Sequence, residues 1–153
     1  MRYYQLLENT QPVVLKMIEA ATHHFGSDDL FYGNCGEFAW ALATYAKQKL
    51  HKPVSLVFLT NKFDDDGNVI DDPTGADIYH VMAEIDHVRY DGNGVCSDDY
   101  IIQFAQTAYY KTVDDIELWT DYHLDSESEY LIRDGTDSTI KADQFLEFFQ
   151  SLV

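Results

Sequence analysis

Cys35 lies in the tripeptide Asn34-Cys35-Gly36, where the irregular stretch Gly26 to Gly33 gives way to the amphipathic run Glu37 to Leu50. A thiol at the start of a helix is placed to act as a nucleophile. The first-turn N–H groups have no partner within the helix, and with the positive end of the helix dipole they stabilise a thiolate. Such a thiol needs a base within hydrogen-bond reach, usually His, and the base needs an orienting carboxylate or amide. Of the six histidines, His23 and His24 end the first predicted helix, His51 ends the second, His87 falls in a predicted turn and His123 in a weakly patterned acidic stretch. Only His80 lies within a well-marked strand.

Register tests which residues can meet His80. Asp86-His87 reads as a two-residue turn between Ile78 to Ile85 and Val88 to Tyr90, because both residue types tolerate positive φ and the flanks alternate. That turn sets Ile85 opposite Val88, Glu84 opposite Arg89, Ala83 opposite Tyr90, Met82 opposite Asp91 and His80 opposite Asn93. Side chains alternate, so His80, Met82 and Glu84 share a face with Arg89, Asp91 and Asn93. The orienting candidates are therefore Asn93, directly across, and Asp91, diagonally at roughly 7–8 Å between backbones. Asp91 carries the charge that stabilises an imidazolium. Asp86 is excluded, being about 20 Å along the strand from His80 at roughly 3.3 Å per residue.

The elements that must hold these groups follow from periodicity and capping. Thr10 and Pro12 mark a first helix, with Val14, Met17, Ile18, Ala21 and Phe25 at helical spacing. Asn34 is a good N-cap for a second helix whose stripe is Cys35, Ala39, Leu42, Ala46 and Leu50, and whose alanines allow close approach to a sheet. Pro53 opens a strand over Val54 to Thr60, and an acidic turn region follows from Asn61 to Ala76. Ser97, with Asp98 and Asp99, caps a third helix bearing Tyr100, Ile101, Phe104, Ala105 and Ala108. Ile116 to Tyr122 and Tyr130 to Ile132 read as strands, and Ala142 to Leu152 as a closing helix. No linker, repeat or low-complexity tract divides the sequence, so one α+β domain over 1–153 is expected.

The order of a Cys opening a helix, a strand bearing His near its start, and a following strand with Asp or Asn resembles the papain-like fold in the broad sense, including the NlpC/P60 and transglutaminase-like cysteine hydrolases. The matching stretches are Gly33-Asn34-Cys35-Gly36-Glu37-Phe38-Ala39-Trp40-Ala41-Leu42, Tyr79-His80-Val81 and Tyr90-Asp91-Gly92-Asn93-Gly94, within about residues 32–95. The resemblance implies a Cys-bearing helix packed on a small antiparallel sheet, with additional C-terminal helices. It implies Cys35 as nucleophile, His80 as general base, Asp91 as orienting residue and the Cys35 N–H as part of an oxyanion hole. The position six before Cys35, a Gln in papain, is Asp29 here, which leaves the side chain of Asn34 or Tyr32 as the candidate second donor. The expected activity is that of a small thiol hydrolase or acyltransferase acting on a peptide, isopeptide or glutamine amide through a Cys35 thioester, without a cofactor.

Composition bounds the alternatives. The chain has 153 residues, 46% of them hydrophobic and 14% aromatic, enough for a packed core rather than a disordered chain. With 27 acidic and 10 basic residues its formal charge is −17, which argues against direct binding of nucleic acid or an anionic membrane and favours a basic protein or peptide. No apolar run reaches the roughly 18 residues of a membrane span, and Met1 to Gln5 does not open a signal peptide, so a cytoplasmic location is expected. Two cysteines, Cys35 and Cys96, are expected as free thiols, with Cys96 and His123 a minor alternative nucleophile and base. No metal site is expected: setting Gly67 at the sixth position of a calcium loop puts Lys62 first and Pro73 twelfth, and Cys-x-x-Cys spacing is lacking. The alternative to an enzyme is an acidic interaction protein that binds a basic partner or mimics nucleic acid.

Overall fold

Leu56-Val57-Phe58-Leu59 is apolar at consecutive rather than alternate positions, the pattern of a strand covered on both faces. The computed structural model describes residues 10–27, 34–125, 128–129, 131–132 and 141–152, and in it Ser55 to Thr60 are all buried. This strand, β1 (Val54–Asn61), is flanked by β2 (Ile78–Ile85) and β5 (Ile116–Tyr122). With β3 (Val88–Asp91) and β4 (Gly94–Val95) they form an antiparallel sheet of order β4-β3-β2-β1-β5. Helices lie on both faces of this sheet, giving an α+β architecture.

The helix α2 (Cys35–Tyr45) covers one face, and its Phe38, Ala39 and Leu42 share a buried cluster with Leu56, Phe58, Val81, Ala83 and Tyr90. The other side of α2 is covered by α4 (Ala142–Ser151), which also packs on α1 (Thr10–Phe25). Being central, α2 is buried almost all round, which is why its apolar residues exceed one stripe. It runs on as a π-helical turn, Ala46–Leu50, and ends where His51 turns left-handed at φ 55°. On the opposite face α3 (Asp98–Tyr109) sets Ile101, Phe104 and Ala105 against Val57, Leu59, Met82 and Cys96. The N-cap Ser97 accepts the Tyr100 N–H, as the sequence predicts.

The β2–β3 hairpin has the predicted register over Ile85 and Val88, Glu84 and Arg89, and Ala83 and Tyr90. Asp86 and His87 both take positive φ, 51° and 67°, the signature of a type I′ turn whose twist matches the strands. Three expectations need correction. His80 does not face Asn93, because β3 ends at Asp91, which pairs with Gly94; the chain reverses through Gly92 and Asn93, with Gly94 at φ 112°. Leu131 and Ile132 are helical rather than extended, and both are buried in the α2 cluster. Asn34 precedes α2 but its side chain makes no capping bond, since its φ of −113° and ψ of 7° differ from the extended backbone a cap requires.

Phe38 locks α2 to α4 through edge-on ring contacts with Phe145 at 5.5 Å and Phe149 at 5.8 Å. We expect Phe38→Ala to lower the unfolding free energy by about 3–5 kcal/mol, read from the urea midpoint. A loss below about 1 kcal/mol would contradict this role in the core.

Candidate active site

Three elements converge on one imidazole. Cys35 is the first residue of α2, His80 the third of β2 and Asp91 the last of β3. The pairing of β3 with β2 runs only over Ala83 to Ile85, so His80 lies beyond the paired stretch, where the Asp91 end of β3 turns away. The predicted diagonal relation is realised: His80 Nε2 lies 2.8 Å from Asp91 Oδ2, with both residues 2% exposed. The Cys35 thiol lies close enough to the imidazole to influence its charge. The structure thus brings together the three residues chosen from the sequence, with Cys35 itself 7% exposed.

The electrostatics fix the tautomer. Burial raises the pKa of Asp91, but its bonds with His80, the Asn93 N–H and the Tyr100 hydroxyl outweigh this and hold it below the usual carboxylate range. A carboxylate only accepts, so Nε2 carries a proton and donates it, which leaves Nδ1 as the nitrogen available for proton exchange. Burial opposes the charging of His80. The hydrogen bond with Asp91, the nearby Cys35 and the charge of Asp91 nevertheless raise its pKa to about 9.

The remaining candidates fall differently. Asn93 does not orient the imidazole directly: its N–H donates to Asp91 Oδ1 at 2.8 Å and its Nδ2 donates to the Tyr100 hydroxyl at 3.3 Å. Asn34 is buried next to Cys35, while Tyr32 and Asp29 lie outside the described residues. The carbonyl of Asn34 accepts the Phe38 N–H, so the earlier amides of the turn, that of Cys35 included, precede the first helical bond. Cys96 is unsuited to the nucleophile role. Its thiol points at the Gly94 carbonyl, and burial together with the Asp91 charge pushes its pKa up, the reverse of what a thiolate needs. In the acidic loop Asp64 Oδ1 accepts the N–H groups of Asp66 and Asn68, a turn-forming use of that carboxylate. Among the described residues no group of three His, Cys, Asp or Glu side chains is arranged to hold a metal ion. Among them, too, no helix is long and apolar enough to cross a membrane.

Several contacts at the site escape a reading by pattern. The Phe104 ring lies 4.5 Å from that of His80, centre to centre. Tyr109 stacks on Tyr79 at 4.4 Å, donates to its carbonyl, and has its pKa raised by burial and by the Cys35 charge. Gly36 is required by contact: a Cβ there would meet Ile132 Cγ2 at 2.9 Å. Phe104 and Tyr100 both read as members of an apolar helix stripe, and the phenol tip of Tyr100 was the one signal that this stripe also carries a polar group.

The pair His80 and Asp91 gives stability a defined pH window. A raised His pKa contributes fully below about pH 6.5 and is lost as pH rises through about 9; the lowered Asp91 contributes above the ordinary carboxylate range and is lost as pH falls through its own pKa. Asp91→Asn should cost on the order of 3 kcal/mol at pH 6.5, and the melting temperature of the variant should fall less than that of the parent between pH 7 and 10. Parallel curves for the two proteins would contradict the assignment. Compared with known proteins, the chain matches no protein-family model, no curated protein and no solved structure.

Proposed function

We propose that the protein is a small thiol hydrolase or acyltransferase that acts on an amide through a Cys35 thioester. The observation that carries this reading is a buried imidazole bonded to a buried carboxylate, with the helix-opening Cys35 close enough to influence its charge. In this mechanism His80 Nδ1 takes the Cys35 proton and the sulfur attacks the amide carbon. Backbone N–H groups at the start of α2, with Asn34 or Tyr32 as a candidate further donor, receive the oxyanion. The imidazolium then protonates the leaving amine as the C–N bond breaks. Water activated by the same nitrogen, or a second amine, releases the acyl group from sulfur. Asp91 keeps Nε2 protonated throughout and balances the imidazolium.

The accompanying fold reading is a papain-like or NlpC/P60-like core, supported by the chain order of helix-opening Cys, strand His and hairpin Asp. A charge of −17 suits a basic peptide or protein as substrate, drawn in by long-range attraction. Iodoacetamide at pH 6 to 7, followed by intact mass, should alkylate Cys35 well ahead of Cys96 and of a free thiol. His80→Ala should slow the reaction about 100-fold or more. A Cys35 no faster than a simple thiol at the same pH would end this reading.

A second reading, an acidic protein that binds a basic partner without catalysis, draws on the same charge and on the 7% exposure of Cys35. It predicts capture of a basic protein such as a histone at low salt, lost on the order of 0.5 M salt by screening and unchanged by Cys35→Ala. Salt-insensitive capture, or none, would count against it.

A further inference from the structure

Asp91 accepts more hydrogen bonds than the orientation of one imidazole requires. Its Oδ1 receives the Asn93 N–H at 2.8 Å, while its Oδ2 receives both His80 Nε2 at 2.8 Å and the Tyr100 hydroxyl at 2.9 Å. Tyr100 in turn accepts from Asn93 Nδ2 at 3.3 Å, so its own proton is directed at the carboxylate. Its place is fixed by the helix start: Ser97 caps α3 by accepting the Tyr100 N–H at 3.1 Å. Burial pushes the phenol pKa up, the Asn93 bond works against this, and the Asp91 charge adds to the rise. Tyr100 therefore remains a donor wherever Asp91 is ionised.

We infer that Tyr100 is a positioning residue of the Cys35 site, sharing Asp91 Oδ2 with His80 and so setting how much of the carboxylate's charge the imidazole receives. This rests on the roles proposed above for Cys35, His80 and Asp91. Two donors on one oxygen compete, because each draws electron density that the other would use. The groups that face this pair from the surrounding elements are Cys35 of α2, the Phe104 ring of α3, and Cys96 and the Asn93 N–H beyond β3. Tyr100 itself bonds to the very oxygen His80 uses. It tempers the imidazole so that the proton taken from sulfur can also be given up.

The test is an NMR titration of the full chain labelled with ¹³C-histidine, with the His80 resonance assigned by its loss in His80→Gln. Tyr100→Phe, shown to be folded by circular dichroism, should raise the His80 pKa by about half to one pH unit. Site-specific 3-fluorotyrosine at position 100, a more acidic and stronger donor, should lower it. A His80 pKa that is unchanged or lowered in Tyr100→Phe overturns the inference. If that variant does not fold, the fluorotyrosine protein decides alone, a lowered value supporting the inference and an unchanged or raised one overturning it. The titration does not depend on Cys35 reacting, so an inert thiol would remove the hydrolase reading without imitating either outcome.

Discussion

A hydrogen bond of 2.8 Å between two side chains almost wholly out of water, His80 and Asp91, is the constraint around which this protein is arranged. A carboxylate and an imidazole taken from solvent cost several kcal/mol unless they meet each other and fill their remaining bonding capacity. Each neighbouring element meets part of that demand. The two left-handed residues of the β2–β3 turn fix the register that puts Asp91 diagonally from His80. Gly94 lets the chain double back, so that the Asn93 amide can serve the carboxylate from behind. The capped start of α3 delivers a phenol to the same group. Cys35, at the head of the central helix, completes the imidazole's surroundings.

Much of this was legible in the sequence because local rules govern it. Period-two alternation around a turn of two φ-tolerant residues gave the hairpin register, and helix periodicity with a Ser cap gave α3. These rules brought Cys35 and His80 forward with Asp91 and Asn93 as orienting candidates, and the family resemblance implied Asp91 as the third member. The errors arose where a longer-range term decided. Extending the β3 ladder through Asn93 ignored the preference of Asp91-Gly92-Asn93-Gly94 for reversal, and Leu131-Ile132 looks extended by residue type although its burial against α2 is met by a helix. Asn34 has the composition of a cap, but its backbone leaves the region in which a cap works.

The two cysteines show how far surroundings outweigh residue type. Cys35 heads a helix near an imidazole, whereas Cys96 faces a carbonyl and stands near a carboxylate in an apolar cluster. Both are buried free thiols, yet their surroundings differ in kind. Partner chemistry, not exposure, separates them.

The contact between Gly36 and Ile132 bears on how this molecule can be divided. The motif residues end near position 95, but a side chain almost forty positions later rests on the turn that carries the thiol, so close that only glycine fits beneath it. The backbone beside Cys35 is therefore shaped by a distant part of the chain. The motif is not a transplantable module: a segment cut after the hairpin would keep Cys35, His80 and Asp91 and lose the surface that packs against the first of them.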